Sequence, residues 1–425
     1  MDILFKNAVI YGHPESSCLA VSNGKILSIS KDEPKLKYSR IIDCKGRLLF
    51  PGLYNTHCHA AMTLFRGYGE ELPLDRWLNE RIFPAEDRLT PESVYAASLL
   101  ACAEMIKNGI VSFSDMYFFC GETVKAALET GMKANISRCV VSFDPDADPC
   151  MDSRANEAID LFKEFNGAGN GRIRIDFSLH AEYTNTNRMC RWLGEKAAML
   201  GANMQIHLSE TEKEHSECIE RHGKTPAMFF YDCGVFDVPT TAAHCVYVTD
   251  DDMRLMSEKG VTCAHNPVSN LKLGSGIAPI PKMAEYGVNI SLGTDGAASN
   301  NTLDILKEMY FAALIHKGAE RKADIVSAEE VISMATSGGA KAQGRPDGGI
   351  LDAGKDADII MIDTDDINNI PSYSPAYTAV YSADSSNVRL NMIGGDIVYE
   401  NGEFAFIDIE KVKYDMKKTI EHYFD

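Results

Sequence analysis

LLFPGLYNTHCH, residues 48–59, begins as an apolar run and ends in two histidines one residue apart. Leu48–Asn55 reads as a buried strand, being almost wholly apolar or aromatic. Side chains alternate along an extended chain, so His57 and His59 project to the same side and can aim both imidazoles at one ion. Alone, an H-x-H pair more often marks two hydrogen-bonded histidines at a strand end than a metal site. What lies on either side decides between the two.

Downstream, short β-branched runs alternate with helical stretches. Seven more strands are predicted, at Val111–Ser114, Met132–Val141, Arg174–Leu179, Asn203–Ile206, Thr241–Ala243, Val261–Ala264 and Val288–Leu292. The clearest helix between them is Pro91–Lys107: Thr90 stands at its N-cap, Pro91 opens it, and Val94, Ala97, Ala101 and Met105 share a face. Eight strands with intervening helices predict an α/β chain, a distorted (β/α)8 TIM barrel over residues 50–345.

Both ends of the chain look different. Ile3–Tyr11, Cys18–Ser22 and Lys25–Ser30 read as strands, the last two joined by an Asn23-Gly24 hairpin turn. A similar texture returns in Ala357–Ile362, Ala379–Tyr381, Val388–Ile393 and Ile397–Tyr399. Neither end can hide its apolar face alone. Residues 1–49 and 346–405 are therefore expected to form one small β-sandwich domain from both chain ends. Residues 406–425 are expected to hold a C-terminal helix, since Val412, Met416, Ile420 and Tyr423 within Glu410–Tyr423 follow helical spacing.

The chain has 425 residues, with 42 Lys+Arg against 61 Asp+Glu and a formal net charge of −19. Apolar residues make up 45% and charged residues 24%, which excludes a disordered or collagenous chain. The acidic excess argues against a nucleic-acid partner, because phosphate binding rests on clustered Lys and Arg. No basic segment followed by an apolar run opens the chain, and no run of ~18 apolar residues suits a membrane span. The 12 cysteines are scattered without a C-x-x-C pair. They read as free thiols in a reducing compartment, which makes the expected location cytoplasmic.

The strand ends change the meaning of the H-x-H pair, because a barrel enzyme carries its site at the C-terminal ends of its strands. Asn203–Ile206 runs into His207, then Leu208, Ser209 and Glu210; the next strand ends in His244; the eighth ends in Gly293-Thr294-Asp295-Gly296. Imidazoles from three strand ends and a glycine-flanked carboxylate from a fourth suit Zn²⁺, and equally Fe²⁺ or another borderline divalent ion. Spacing alone does not separate His244 from the ligands.

The segments PGLYNTHCHAAMTLFRG (51–67), HLSETEKE (207–214), AAHCV (242–246), HNPVSNLKLGSGIAP (265–279) and LGTDGAASNN (292–301) resemble the amidohydrolase superfamily. More narrowly they are similar to its 5-methylthioadenosine/S-adenosylhomocysteine deaminases, and the likeness covers almost the whole chain. The resemblance implies that His57, His59, His207 and Asp295 ligate one metal, Zn²⁺ at one ion per subunit, while His244 lies beside it and orients water. Strand four ends in His180, not in the lysine that binuclear members carboxylate, which implies a single metal.

The resemblance also implies an activity: metal-dependent deamination of 5′-modified adenosines, converting S-adenosylhomocysteine or 5′-methylthioadenosine to the inosyl compound and ammonia. Glu210, His244 and Asp295 would be catalytic, with Asp295 as both ligand and base and Glu210 protonating the ring nitrogen. The plainer reading of Glu210 is a first-turn helix carboxylate favoured by the macrodipole. In the resembling family a glutamate at the position of Glu86, within Phe83-Pro84-Ala85-Glu86-Asp87, binds the ribose hydroxyls. His180 would touch purine N3, and Arg138 and Arg154 would reach the 5′ extension. Either arginine also suits a structural role, Arg138 as an ion pair following a buried strand. His265 and Asn270 flank a Gly-rich loop and are assigned to loop structure.

The expected partner is a small nucleoside, and a homo-oligomer is compatible with the fold. A related enzyme acting on guanine, a pterin or an s-triazine would share the metal frame. Glu86 and the two arginines speak against it, since a small flat base needs no ribose or carboxylate clamp. An inactive scaffold would be expected to have lost a ligand, and none is missing.

Overall fold

All eight expected barrel strands are present in the computed structural model, which describes residues 2–424. They are β1 (Leu53–Cys58), β2 (Ile110–Tyr117), β3 (Lys133–Val140), β4 (Ile173–Leu179), β5 (Met204–Leu208), β6 (Thr240–His244), β7 (Thr262–His265) and β8 (Asn289–Leu292). Each pairs in parallel with the next along the chain. Helix Pro91–Lys107 starts where its sequence placed it, with the Thr90 hydroxyl accepting the Ser93 N–H at 3.2 Å.

β1 and β8 are the two ends of this sheet, and no ladder joins them. Side chains close the seam instead. Asn55 Nδ2 donates to Thr294 Oγ1 at 2.8 Å, and Asn55 Oδ1 accepts the Thr294 N–H at 3.0 Å. Thr56 Oγ1 donates to the Leu292 carbonyl at 2.9 Å, and the Asp295 N–H reaches the His57 carbonyl at 3.0 Å. Helix Ser337–Ala342 fills the rest of the gap. A Cβ at Gly338 would lie 2.5 Å from the Ile290 carbonyl oxygen, and one at Gly339 would lie 2.5 Å from Tyr54 Cβ. Only glycines let that helix approach so closely.

The strand expected at Leu48–Asn55 is two strands. Leu48–Pro51 pairs antiparallel with Ile359–Ile362 and parallel with Val9–Ile10, while β1 begins at Leu53. The chain changes partners at Gly52, whose N–H bonds the Asp358 carbonyl at 3.0 Å and where a Cβ would meet Val111 at 2.4 Å. Ile3–Tyr11 is likewise split, at Asn7 with φ +54°, into Ile3–Lys6 and Val9–Ile10 of different sheets. Ala379–Tyr381 is not a strand but part of a helical turn, Thr378–Ser382, which continues Pro375–Tyr377 behind the Ser374 N-cap. A short apolar run cannot distinguish the two states, and the Ser-Pro start signal decides it.

The ends of the chain form a four-stranded sheet (Lys25–Ser30, Cys18–Ser22, Ile3–Lys6, Arg40–Asp43) and a six-stranded sheet. The latter runs Glu403–Phe404, Asp396–Glu400, Val388–Ile393, Ile359–Ile362, Leu48–Pro51, Val9–Ile10. Phe5, Leu19, Leu49, Ile359, Met361 and Leu390 belong to the core shared by these sheets, whereas Leu48, Phe50, Ile360 and Ile362 join the barrel core. The central strands Leu48–Pro51 and Ile359–Ile362 are thus buried on both faces, which is why their sequences lack polar alternation. Helix Ile409–Phe424 lies against Pro91–Lys107 and buries Val412, Met416 and Tyr423, while Ile420 stays exposed. Among the described residues no helix is long and apolar enough to cross a membrane.

Candidate active site

The C-terminal ends of β1, β5 and β8 bring His57, His59, His207 and Asp295 together, one donor atom from each lying within 4.8 Å of the others. Asp295 Oδ1 is 3.5 Å from His57 Nε2 and 3.2 Å from His59 Nε2, and the Nε2 atoms of His59 and His207 are 3.4 Å apart. His59 Nδ1 donates to the Met116 carbonyl at 2.6 Å and His207 Nδ1 to the His180 carbonyl at 2.8 Å. A carbonyl only accepts, so both rings carry a proton on Nδ1 and turn Nε2 inward. Ser269 and Ser299 hydroxyls bond Asp295 Oδ2 at 2.7 and 2.6 Å, which leaves Oδ1 facing the imidazoles.

The electrostatics fit a cation. His57 Nε2 is buried without a hydrogen bond. Burial holds the His57 imidazole down at about 4 and keeps His207 well below the ordinary histidine range. Burial pushes the Asp295 carboxyl up, but His57 and His59 overrule it and keep it well below the usual carboxylate range. Burial lowers the His59 pKa too, but its pairing with Asp295 outweighs this and raises it to about 9, so His59 must shed its inward proton to ligate an ion. With that proton gone, three imidazoles and an ionised carboxylate are the donor set of a divalent ion such as Zn²⁺. The strand exits are strained: Ser209, His244, Cys245 and Asp295 have φ of 47°, 71°, 50° and 59°. Non-glycine residues in that region cost ~1–3 kcal/mol each and cluster at functional sites.

His244 stands beside this group and is not part of it. Its Nδ1 donates to Asn270 Oδ1 at 2.8 Å, and its Nε2 lies 3.8 Å from Glu210 Oε2. Glu210 precedes the Thr211 N-cap of helix Glu212–His222, so it is not a first-turn carboxylate. Burial raises its carboxyl pKa, with the His244 ring acting in the opposite direction, and Ser275 Oγ donates to Oε1 at 3.2 Å. Glu214 accepts the backbone N–H groups of Ser209 and Glu210 at 2.9 and 2.7 Å and fixes the turn.

The remaining sequence candidates surround the cluster less tightly. The His180 ring lies 4.8 Å from that of His207, and burial holds it down at about 4, an uncharged group. Glu86 ends the short helix Phe83–Glu86, half-buried, and burial pushes its carboxyl up to about 7 while the Tyr117 hydroxyl acts in the opposite direction. Arg138 is buried, ion-paired with Glu157 at 2.6 Å and stacked over Phe118. Arg154 is exposed, its guanidinium 3.5 Å from the Val141 carbonyl. Asn270, assigned to loop structure by sequence, instead sits on helix Pro267–Lys272 and fixes the His244 tautomer. Ser269, Ser299 and Glu214 were also missed. The only available signal was that Ser269 and Asn270 share the segment HNPVSN, and that Ser299 follows Asp295 by one helical turn.

Residues 48–398 match the model of the amidohydrolase family. A 5-methylthioadenosine/S-adenosylhomocysteine deaminase of Acetivibrio thermocellus is 41% identical over 98% of this chain and 98% of its own length. A 5′-deoxyadenosine deaminase of Methanosarcina mazei is also 41% identical, over 99% and 98%. Among solved structures, a zinc-bound adenosine deaminase from Xanthomonas campestris superposes with a TM-score of 0.92 at 28% identity, covering 99% of this chain and 98% of that one.

Proposed function

Because the chain belongs to the amidohydrolase family, we propose that this hydrolase of carbon–nitrogen bonds removes the 6-amino group of 5′-modified adenosines as ammonia. S-adenosylhomocysteine, 5′-methylthioadenosine, 5′-deoxyadenosine and adenosine are its substrate class. The observation that carries this reading is a buried carboxyl of raised pKa, Glu210, set against His244 at the edge of a three-histidine, one-aspartate cluster.

His57, His59, His207 and Asp295 would hold the metal, with Zn²⁺ the ion that the donor set and the zinc-bound neighbour support. When bound, it supplies Lewis acidity that brings the pKa of a ligated water from 15.7 to about 7. The protein's own groups do the rest. His244, locked by Asn270, turns Nε2 toward the water and orients it. Asp295 would take a proton from the attacking water as the water oxygen bonds C6. Glu210, whose carboxyl pKa burial raises, would give a proton to N1 so that no charge accumulates on the ring. A tetrahedral carbon results. Asp295 would pass its proton to the amino group, the C6–N bond would break and ammonia would leave, while the C6 hydroxyl returns its proton to Glu210 as the C6 carbonyl forms.

Glu86 would accept hydrogen bonds from the ribose hydroxyls, His180 would meet purine N3, and Arg138 and Arg154 would reach a charged 5′ extension. The twelve free thiols, all buried except Cys150, support a reducing, cytoplasmic location. The test is a substrate panel run with the Glu210→Gln variant. Ammonia release from the four adenosines is expected, with kcat lowered about 10²–10⁴-fold in the variant and zinc content unchanged. Release from guanine or melamine but from no adenosine would overturn the reading, as would a zinc-loaded Glu210→Gln enzyme of near-normal turnover.

A further inference from the structure

Tyr117 ends β2 with its ring 6.0 Å from that of His59, and it is buried. Its hydroxyl finds no hydrogen-bond partner at bonding distance. A buried hydroxyl left unpaired is disfavoured, and native structures retain few of them. The group that faces it is the carboxyl of Glu86, close enough for each to act on the other's ionisation. No lysine or arginine is ion-paired with Glu86 among the described residues, so the nearby donor of consequence is this phenol.

The backbone beneath Glu86 is held from another quarter. Tyr423, on the C-terminal helix Ile409–Phe424, donates its hydroxyl to the carbonyl of Ala85, the residue immediately before Glu86. The Tyr423 ring packs 5.7 Å from Phe65, and the Arg88 guanidinium lies 5.0 Å from its centroid. Phe83–Glu86 is the last turn of a helical stretch that starts at Leu74 and runs through Leu78–Ile82, so the Tyr423 bond falls at its C-terminal end, where outside contacts supplement the helix's own bonds.

We infer that Tyr117 and Tyr423 are positioning residues for nucleoside recognition: Tyr423 fixes the backbone at Ala85, and the Tyr117 hydroxyl donates to Glu86 and orients its carboxylate toward the ribose diol. This rests on the reading of Glu86 as the ribose clamp. It adds that a helix from the far end of the chain, with a tyrosine adjoining the metal cluster, sets specificity at the sugar. Burial holds the Tyr117 hydroxyl well above its ordinary pKa, so it remains a donor.

Steady-state kinetics with adenosine and 2′,3′-dideoxyadenosine test this on the zinc-loaded full chain. Tyr117→Phe removes only the hydroxyl and keeps the ring and its packing, so the variant should fold. It is expected to raise KM for adenosine about tenfold, with kcat within twofold and KM for the dideoxy compound unchanged. Tyr423→Phe is expected to move the adenosine KM in the same direction by a smaller factor. Equal loss on both substrates, or a fall in kcat alone, would overturn the inference. So would an unchanged adenosine-to-dideoxyadenosine ratio in Tyr117→Phe while Glu86→Gln collapses it. If Glu86→Gln leaves the ratio intact, both ideas fall, and the fault lies with the Glu86 assignment.

Discussion

Asn270 shows how the orientation of a candidate catalytic group is set by a neighbour outside the donor cluster. Its side-chain oxygen holds the His244 proton on Nδ1. Without it the imidazole can turn its protonated nitrogen toward Glu210 and the donor cluster. Asn270→Ala is expected to lower kcat about 10–100-fold with zinc content unchanged, because His244 stands outside the donor group. Parallel metal analysis and turnover measurements check this. Glu86 gives a pH dependence with a definite sign. Burial raises its pKa to about 7, so below that pH the carboxyl is protonated and loses acceptor capacity. KM for adenosine should therefore rise as pH falls below about 7, and KM for 2′,3′-dideoxyadenosine should not follow. Such roles are hard to read from sequence, since Asn270 lies 26 residues from the histidine it serves.

At the level of elements, the ends of strands were more legible than the strands' partners. His57, His59, His207, His244 and Asp295 each mark where an apolar run stops, because chemistry placed at the barrel mouth interrupts hydrophobic patterning. The break at Gly52 was not legible, since it depends on Val111 crowding the missing Cβ and on the distant Asp358 carbonyl. Arg40–Asp43 was missed because its pattern is short and largely exposed. Gly293, where β8 leaves the barrel, is the glycine on which the metal cluster depends most. A Cβ there would lie 2.4 Å from Asn266 Oδ1 and 2.9 Å from the His57 carbonyl oxygen. Gly293→Ala must displace backbone, at a cost of ~1–3 kcal/mol. Loss of bound zinc and a lower Tm are expected; retention of both would show that the exit loop can shift.

Across the whole molecule, the barrel and the sheets built from the chain ends are joined by buried polar contacts as well as by apolar packing. Asp358 carries the centre of this join, bonded to Lys133 Nζ at 2.6 Å, Tyr54 Oη at 3.2 Å and the Gly394 N–H at 2.8 Å. Asn391 Nδ2 adds bonds to the Ile106 and Ile110 carbonyls. Lys133 is almost fully buried and keeps a second partner, Asp356 at 2.9 Å, so Asp358→Ala removes buried bonds without stranding the charge and should destabilise the fold by ~1–3 kcal/mol. Denaturant unfolding would measure that. Lys133 opens β3, at the end of the barrel opposite the metal cluster, so zinc content should be unaffected.

The seam between β1 and β8 gives the cluster a mechanical meaning. Three of its four donors flank the one join that lacks a ladder: His57 lies in β1, His59 just after it, and Asp295 follows β8. An ion held there acts as a rivet through the lips of an almost closed cylinder, and filling the site and locking the barrel become one event. Amide exchange at the strand ends on either side of that join should then slow on zinc addition, while exchange at the β3–β4 ladder, far from the gap, keeps its rate.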